Sequence, residues 1–280
     1  MRLAQQEVVL AMVRGHVDQT RAALGGDEVA RQERTRAGER VLVLFTNPIG
    51  GRAHNMPEVH QVAGLGYPFV EVSLDDPQAV SGQIPELLEV RRGRGISYLA
   101  HYPNEDNPFD VAVLRERFLP RIKALIDLSE TLGIGKATMH FWIDRRWAPA
   151  GLIPRKLELL REIVSYAVQA GVVLCIENLS ERHDSFQPAF EMIPDLMMTL
   201  DIGHAQLLAR ENTSHRFIEH CMSRIGHVHV HDNHGGTSVR DDLHLALGEG
   251  AVDYRAILSA LVAGGYDSTV TMEVKPADMP

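Results

Sequence analysis

The chain reads as an α/β protein, a (β/α)8 TIM barrel with an additional N-terminal helix. Three observations predict this. Eight short apolar runs recur between residues 41 and 274. Segments of helical periodicity separate them. The 280 residues suit one barrel, which needs about 250. Alternating strands and helices imply parallel strands joined by right-handed crossovers, and eight such units close on themselves. An open, doubly wound sheet is the competing arrangement of the same alternation.

The elements follow in order. Residues 3–24 carry Leu3, Val9, Leu10, Val13, Val17 and Leu24 at helical spacing, ended by Gly25-Gly26. Residues 27–40 are dense in charge, a solvated helix or linker. Residues 1–40 are therefore expected as a helical extension packing on a barrel of residues 41–280. The predicted strands are 41–46 (VLVLFT), 69–73 (FVEVS), 97–101 (SYLAH), 136–142 (KATMHFW), 172–177 (VVLCIE), 197–201 (MMTLD), 225–231 (IGHVHVH) and 269–274 (TVTMEV). The predicted helices lie at 56–65, 81–93, 110–132, 154–170, 186–195, 213–223 and 253–263. The clearest is 154–170: Pro154 stands in its first turn, Leu157, Leu160, Val164 and Val168 share one face, and Gly171 lies just past its end. Pro120 is expected to kink or split 110–132. An eighth helix is not expected after the last strand, and helix 3–24 is expected to cover that gap. GGRAHN (50–55), RRWAPAG (145–151) and 232–249 read as loops that follow strands, which places them on the face where barrels carry their active sites.

Composition excludes several classes. At 45% hydrophobic and 23% charged residues, the chain supports a sizeable core and is neither disordered nor a small stapled scaffold. The formal charge of −9 argues against a protein that grips nucleic acid by bulk charge. Cys175 and Cys221 are too few for a disulfide framework, and Cys175, inside VVLCIE, reads as a buried reduced thiol. No apolar run reaches the ~18 residues a membrane span needs. The N-terminal stretch is interrupted by charge and does not form a signal-peptide core. A cytoplasmic protein with no membrane partner is expected.

The 14 histidines matter through their positions. Strand three ends in His101, strand four carries His140, strand five ends in Glu177, and strand six ends in Asp201, followed closely by His204. Strand seven carries His229, the next loop carries Asp242 and His244, and strand eight carries Glu273. Six consecutive strands with His, Asp or Glu at one level are hard to explain by packing. Buried carboxylates without positive partners are costly, and few basic residues flank these positions, so a divalent cation is implied. Mixed carboxylate and imidazole donors suit Mn2+, Zn2+, Fe2+ or Co2+ rather than Ca2+. Arg145, Arg146 and Trp147 follow strand four and are candidates to hold a phosphate and stack on a sugar, or else form a solvated loop. Lys275 shares the parity of Glu273 and either approaches a substrate anion or makes a rim salt bridge. His227 reads as a satisfied core histidine, His231 and His234 as rim residues.

The stretches IEN (176–178), LDIGHA (200–205), HVHVHDN (227–233), DLHLALGEGAVDY (242–254) and MEVKP (272–276) resemble the xylose isomerase-like TIM-barrel superfamily over about residues 41–276. That group includes sugar-phosphate isomerases and epimerases and also endonuclease IV. The resemblance implies that Glu177, Asp201, His229 and Glu273 hold one metal. It further implies that His101, His140, His204, Asp242 and His244 correspond to the donors that complete a three-zinc cluster in endonuclease IV. The expected cofactor is therefore Mn2+ or Zn2+, one to three ions, with a carbohydrate or sugar phosphate as substrate and Glu177 and Glu273 as catalytic carboxylates. Isomerisation or epimerisation at a chelated hydroxy-carbonyl is the first expectation. A multinuclear-metal phosphodiester hydrolase is the alternative, and a non-catalytic metal or sugar binder a third. A homodimer remains open.

Overall fold

The computed structural model describes residues 47–280, which form eight parallel strands in a closed barrel with neighbours in sequence order. The strands are β1 Ile49–Ala53, β2 Phe69–Ser73, β3 Ser97–His101, β4 Lys136–His140, β5 Val173–Glu177, β6 Met197–Asp201, β7 Ile225–Val230 and β8 Thr269–Met272. β1 pairs with both β2 and β8, so the ring closes through it. The crossover helices are α1 Met56–Gly64, α2 Pro77–Arg94, α3 Leu119–Leu132, α4 Leu152–Gln169, α5 His183–Met192, α6 Ser214–Cys221 and α7 Tyr254–Ala263. The predicted helix 3–24, and with it the extension over residues 1–40, lies outside the described residues.

Seven strands stand where the sequence predicts them, and the predicted run 41–46 lies outside the described residues. The ring is complete without 41–46, and GGRAHN is not a loop, because Ile49–Ala53 supplies the first strand. Its glycines are required by close packing: a Cβ on Gly50 would overlap the Phe69 ring, and one on Gly51 would overlap Met279 and Val62. The pair reads as a turn in sequence but acts as space for neighbours.

Local signals explain the helix boundaries. Asn55, Asp76 and Asp253 cap α1, α2 and α7 by accepting from Glu58 N, Ala79 N and Ala256 N. Pro120 splits its helix as anticipated. Residues Leu114–Phe118 form a π turn in which Leu119 N–H reaches Leu114 O, and a regular helix resumes at Leu119.

Alternation along the strands places a polar column inside the barrel. Thr138 Oγ1 meets Thr199 Oγ1 at 2.7 Å. Lys136 Nζ donates to Gly226 O, Ser268 Oγ and Thr269 Oγ1 at 2.7–2.9 Å. Thr269 Oγ1 in turn meets His227 Nδ1 at 2.7 Å. The apolar residues of opposite parity, such as Val70, Val72, Leu174, Ile176, Val228 and Val270, are buried. Cys175 is buried, and burial pushes its thiol up to about 12. The inward-facing set ends, at the C-terminal rim, in carboxylates and imidazoles.

Candidate metal centre

Glu177, Asp201, His229 and Glu273 converge: one donor atom from each lies within 4.8 Å of the others, and all four residues are buried. β5, β6, β7 and the end of β8 carry them at one level because the strands are in register there, with Asp201 opposite His229 and His140 opposite Glu177. Glu177 stands between two sets of donors. Its Oε1 is 3.0 Å from His229 Nδ1, and its Oε2 is 3.1 Å from His101 Nε2 and 3.4 Å from His140 Nε2. His101, His140 and Glu177 form a second compact set; His204, Asp242 and His244 fall, with His231, in a third.

Backbone carbonyls orient the rings. His101 Nδ1 lies 3.0 Å from Tyr102 O, His204 Nδ1 3.0 Å from Asn178 O, and His244 Nδ1 2.8 Å from Glu273 O. A carbonyl only accepts, so each Nδ1 carries a proton and each Nε2 is the atom turned to the cluster. His229 is reversed. Its Nε2–H donates to Glu71, 3.0 Å from both oxygens, and its Nδ1 faces Glu177 at 3.0 Å and Glu273 at 3.2 Å. Asp201 is held by His204 N at 2.7 Å and by a reciprocal pair between its backbone and the Asn178 side chain.

The donor set fits a divalent cation. Glu71, Glu177, Asp201 and Glu273 are four buried carboxylates, and Arg52, 3.3 Å from Glu273 Oε1, is the fixed cation that pairs with them among the described residues. Asp201 Oδ2 and Glu273 Oε2 are buried without a hydrogen-bond partner, and both belong to the central four. Burial lowers His140 to about 4, so it stands as a neutral imidazole. Burial also opposes charge on His204, His229 and His244, but the surrounding carboxylates outweigh it. His204 and His229 are held well above the usual imidazole range and His244 at about 9. A metal must displace those protons. Metal affinity is therefore expected to rise with pH as these imidazoles lose their protons, His244 at about 9, with proton release visible by calorimetry in buffers of different ionisation enthalpy. Binding that releases no protons would contradict this.

Other anticipated residues lie apart from these sets. Arg145 and Trp147 are exposed, and the Arg146 guanidinium is engaged by Asp144, at 3.0 and 2.7 Å, and by Ser180 O. Lys275 is exposed at the start of a short 3-10 turn, Pro276–Asp278. His227 is the buried core histidine expected, bonded to Glu71, Thr269 and Thr271. His234 is exposed, but His231 is no rim residue: it is fully buried. The chain turns inward past β7, and Gly203 leaves the space its ring fills. Sequence reasoning also missed Glu71 and Arg52. The parity of FVEVS carries a signal for Glu71, since Val70 and Val72 flank it on the opposite face. Arg52 was hidden in a segment read as loop.

Comparison with known proteins agrees with this geometry. The xylose isomerase-like TIM barrel family matches residues 59–279. MJ1311, an uncharacterized protein of Methanocaldococcus jannaschii, is 27% identical over 206 residues, 69% of this chain and 69% of its own length. Fructoselysine 3-epimerase of Shigella flexneri is 22% identical over 230 residues, 75% of this chain and 81% of its own. The crystal structure of a D-tagatose 3-epimerase-like protein superposes with a TM-score of 0.71 at 25% identity, covering 81% of this chain and 91% of that one. A closed eight-stranded barrel, donors at the ends of its strands and a family match over most of the sequence lead to one conclusion: the chain belongs to the xylose isomerase-like TIM-barrel family.

Proposed function

We propose that the chain is a divalent-metal-dependent isomerase or epimerase of a sugar or sugar phosphate. The observation that carries this reading is the convergence of Glu177, Asp201, His229 and Glu273 at the C-terminal ends of the strands. A divalent ion held there, Mn2+ or Zn2+ by the donor chemistry, would polarise a carbonyl and acidify the neighbouring C–H.

The chain's own residues supply the rest. Glu177 ends β5 and Glu273 stands one residue past β8, and in the proposed reaction each would offer a carboxylate to the substrate. Glu273 is tethered through Oε1 to Arg52, while its Oε2 has no hydrogen-bond partner and is placed to take or return a proton. Proton removal on one side and return on the other inverts a carbon centre. Return to the adjacent carbon interconverts aldose and ketose. Asp201, fixed by His204 N and Asn178, holds position. The epimerase names of two relatives support the same reaction class.

A second reading, a multinuclear-metal hydrolase, is favoured by Glu177 Oε2 facing His101 and His140, which offers donors for a further ion beside the central set. One experiment separates the two. Metal-loaded protein is incubated in D2O with a panel of ketoses, aldoses and their phosphates, and solvent deuterium at the carbon next to the carbonyl is followed by NMR. Exchange on at least one sugar is expected. No exchange across the panel, together with cleavage of an abasic-site duplex or a simple phosphodiester, would replace the proposal by the hydrolase.

A further inference from the structure

We infer that Arg52 is a substrate-binding residue: the free edge of its guanidinium donates to the substrate oxygen that gains charge as Glu273 takes a proton. The inference rests on the proposed isomerase or epimerase reading and adds to it a contact that none of the metal donors supplies.

Among the described residues β1 carries no member of the metal-ligating sets; what it places beside them is Arg52. The register sets Arg52 opposite Glu71 on β2 and Gly51 opposite Met272 on β8, one residue before Glu273. The buried guanidinium uses its N–H groups unevenly. Nε donates to Glu273 Oε1 at 3.3 Å, and Nη1 makes two long contacts, 3.4 Å to Glu71 O and 3.5 Å to Ala53 O. Nη2 donates to no atom of the chain and is not enclosed by it. In a planar guanidinium Nε–H and one Nη2–H point the same way, as a fork. The edge that meets Glu273 is therefore the edge with free donors. A carboxylate that served only as a partner would take both prongs. Glu273 takes one, because its Oε2 is turned to His229 Nδ1 at 3.2 Å.

A fixed positive charge is a poor neighbour for a site that must draw in a divalent ion. Orienting a carboxylate needs only a neutral donor, as His204 N does for Asp201. The arginine therefore costs metal affinity by Coulomb repulsion, and a gain elsewhere has to offset it. The reaction supplies the place for that gain. When Glu273 Oε2 takes the proton of the carbon next to the carbonyl, the C–H electron pair becomes part of a C=C bond and the carbonyl π pair moves onto oxygen. Return of the proton reverses both shifts. Negative charge thus develops on an oxygen one bond from the neighbour of the carbon that Glu273 deprotonates, and Glu273 is itself bonded to Arg52. A guanidinium fixed there beforehand stabilises that charge without reorganising.

The role needs arginine in particular. Its fork lets one rigid group serve Glu273 Oε1 through Nε and a substrate oxygen through Nη2 at once, whereas a lysine ammonium is a single point charge on a flexible stem. The contact strengthens as charge develops on the oxygen, so its loss falls on kcat more than on KM.

The test uses the full-length protein, metal affinity by chelator competition, and exchange kinetics on the sugar of the D2O panel that wild type turns over fastest. Arg52→Met removes the charge and keeps the bulk; Arg52→Lys keeps the charge and removes the fork. Arg52→Met is expected to bind metal at least as tightly as wild type, because the repelling charge is gone, while kcat falls about 10²–10³-fold and KM moves by less than about 3-fold. Arg52→Lys should recover less than about a tenth of the wild-type kcat. An arginine that only props Glu273 for the ion predicts the reverse: Arg52→Met loses metal affinity, excess metal restores its kcat, and Arg52→Lys works like wild type. Either a kcat restored by metal in Arg52→Met or a wild-type kcat in Arg52→Lys would overturn the inference. Wild type that exchanges no sugar of the panel defeats the isomerase reading and this one together; wild type that exchanges while Arg52→Met keeps its kcat defeats this one alone. Should Arg52→Met fail to fold, Arg52→Lys decides: a kcat near wild type refutes the contact, and a loss of about 10-fold or more at unchanged metal affinity supports it.

Discussion

Replacing Glu177 by Gln is expected to remove catalysis and metal binding together while the barrel stays folded. The reason is the carboxylate's position. One oxygen meets His229 at 3.0 Å and lies 3.4 Å from His204; the other meets His101 at 3.1 Å and lies 3.4 Å from His140. Burial raises the cost of charge on Glu177, yet the charge of His229 and the hydrogen bonds from His101 and His204 hold its carboxyl well below the usual range, so it is an anion at working pH. An amide keeps the shape but loses the charge that draws a cation into a buried site. It also turns N–H groups toward nitrogens that must stay bare to ligate. Loss of one such electrostatic contributor slows enzymes on the order of 10²–10³-fold, and loss of the ion adds to that. Asp201→Asn should behave alike, because Asp201 Oδ2 is buried without a hydrogen-bond partner. The check is a pair of melting curves with the activity assay. Wild type should gain melting temperature on adding metal, as any ligand of the native state dictates, and both variants should lose that gain. Full activity in both would remove the basis of the proposed function.

The limits of reading this site from sequence are physical. His101, His140, Glu177, Asp201, His229 and Glu273 were legible because strand ends at the C-terminal rim are where a barrel can spare a polar residue, and because several of them recur there. Seven strands were legible for a similar reason, since apolar runs of ordinary length alternate with helical faces. β1 was not, because Ile-Gly-Gly-Arg-Ala owes its conformation to neighbours distant in sequence: Phe69, Val62 and Met279 press where side chains would stand. A more apolar run, VLVLFT, lies just before it and satisfied the same rule. His231 was misread because counting past a strand end assumes the chain leaves the barrel. Here Asp232 and Leu245 exchange backbone hydrogen bonds at 2.9 Å, and the chain folds back over the mouth. The Arg146 guanidinium looked free to meet an anion; Asp144, two residues earlier, engages it. Such pairings are decided by loop conformation, which residue type does not encode.

Glu71 gives the second large expected effect, and it reaches the metal without touching it. The residue is fully buried inside the barrel, 3.0 Å from His229 Nε2 and 3.0 Å from His227 Nε2. Burial raises the energy of its anion, but the charge of His229 and the hydrogen bonds from His229 and His227 prevail and hold the carboxyl well below its usual range. Glu71 therefore keeps the proton of His229 on Nε2, leaves Nδ1 toward Glu177 and Glu273, and makes the ring a better donor. Glu71→Gln retains the shape. His227 can switch tautomer against the Thr269 hydroxyl, so the variant is expected to fold with a nearly unchanged melting temperature in the absence of metal. Metal affinity should nonetheless fall about 10- to 100-fold, the usual consequence of removing an outer partner of a ligating histidine. Glu71→Ala differs: it leaves the buried His229 Nε2–H unpaired and opens a cavity inside the barrel, at a cost of ~3 kcal/mol. Chelator competition on Glu71→Gln and urea unfolding of metal-free Glu71→Ala separate the two contributions. A Glu71→Gln protein that binds metal as tightly as wild type would show that His229 needs no help from below, and that the column of polar residues through the barrel serves packing alone.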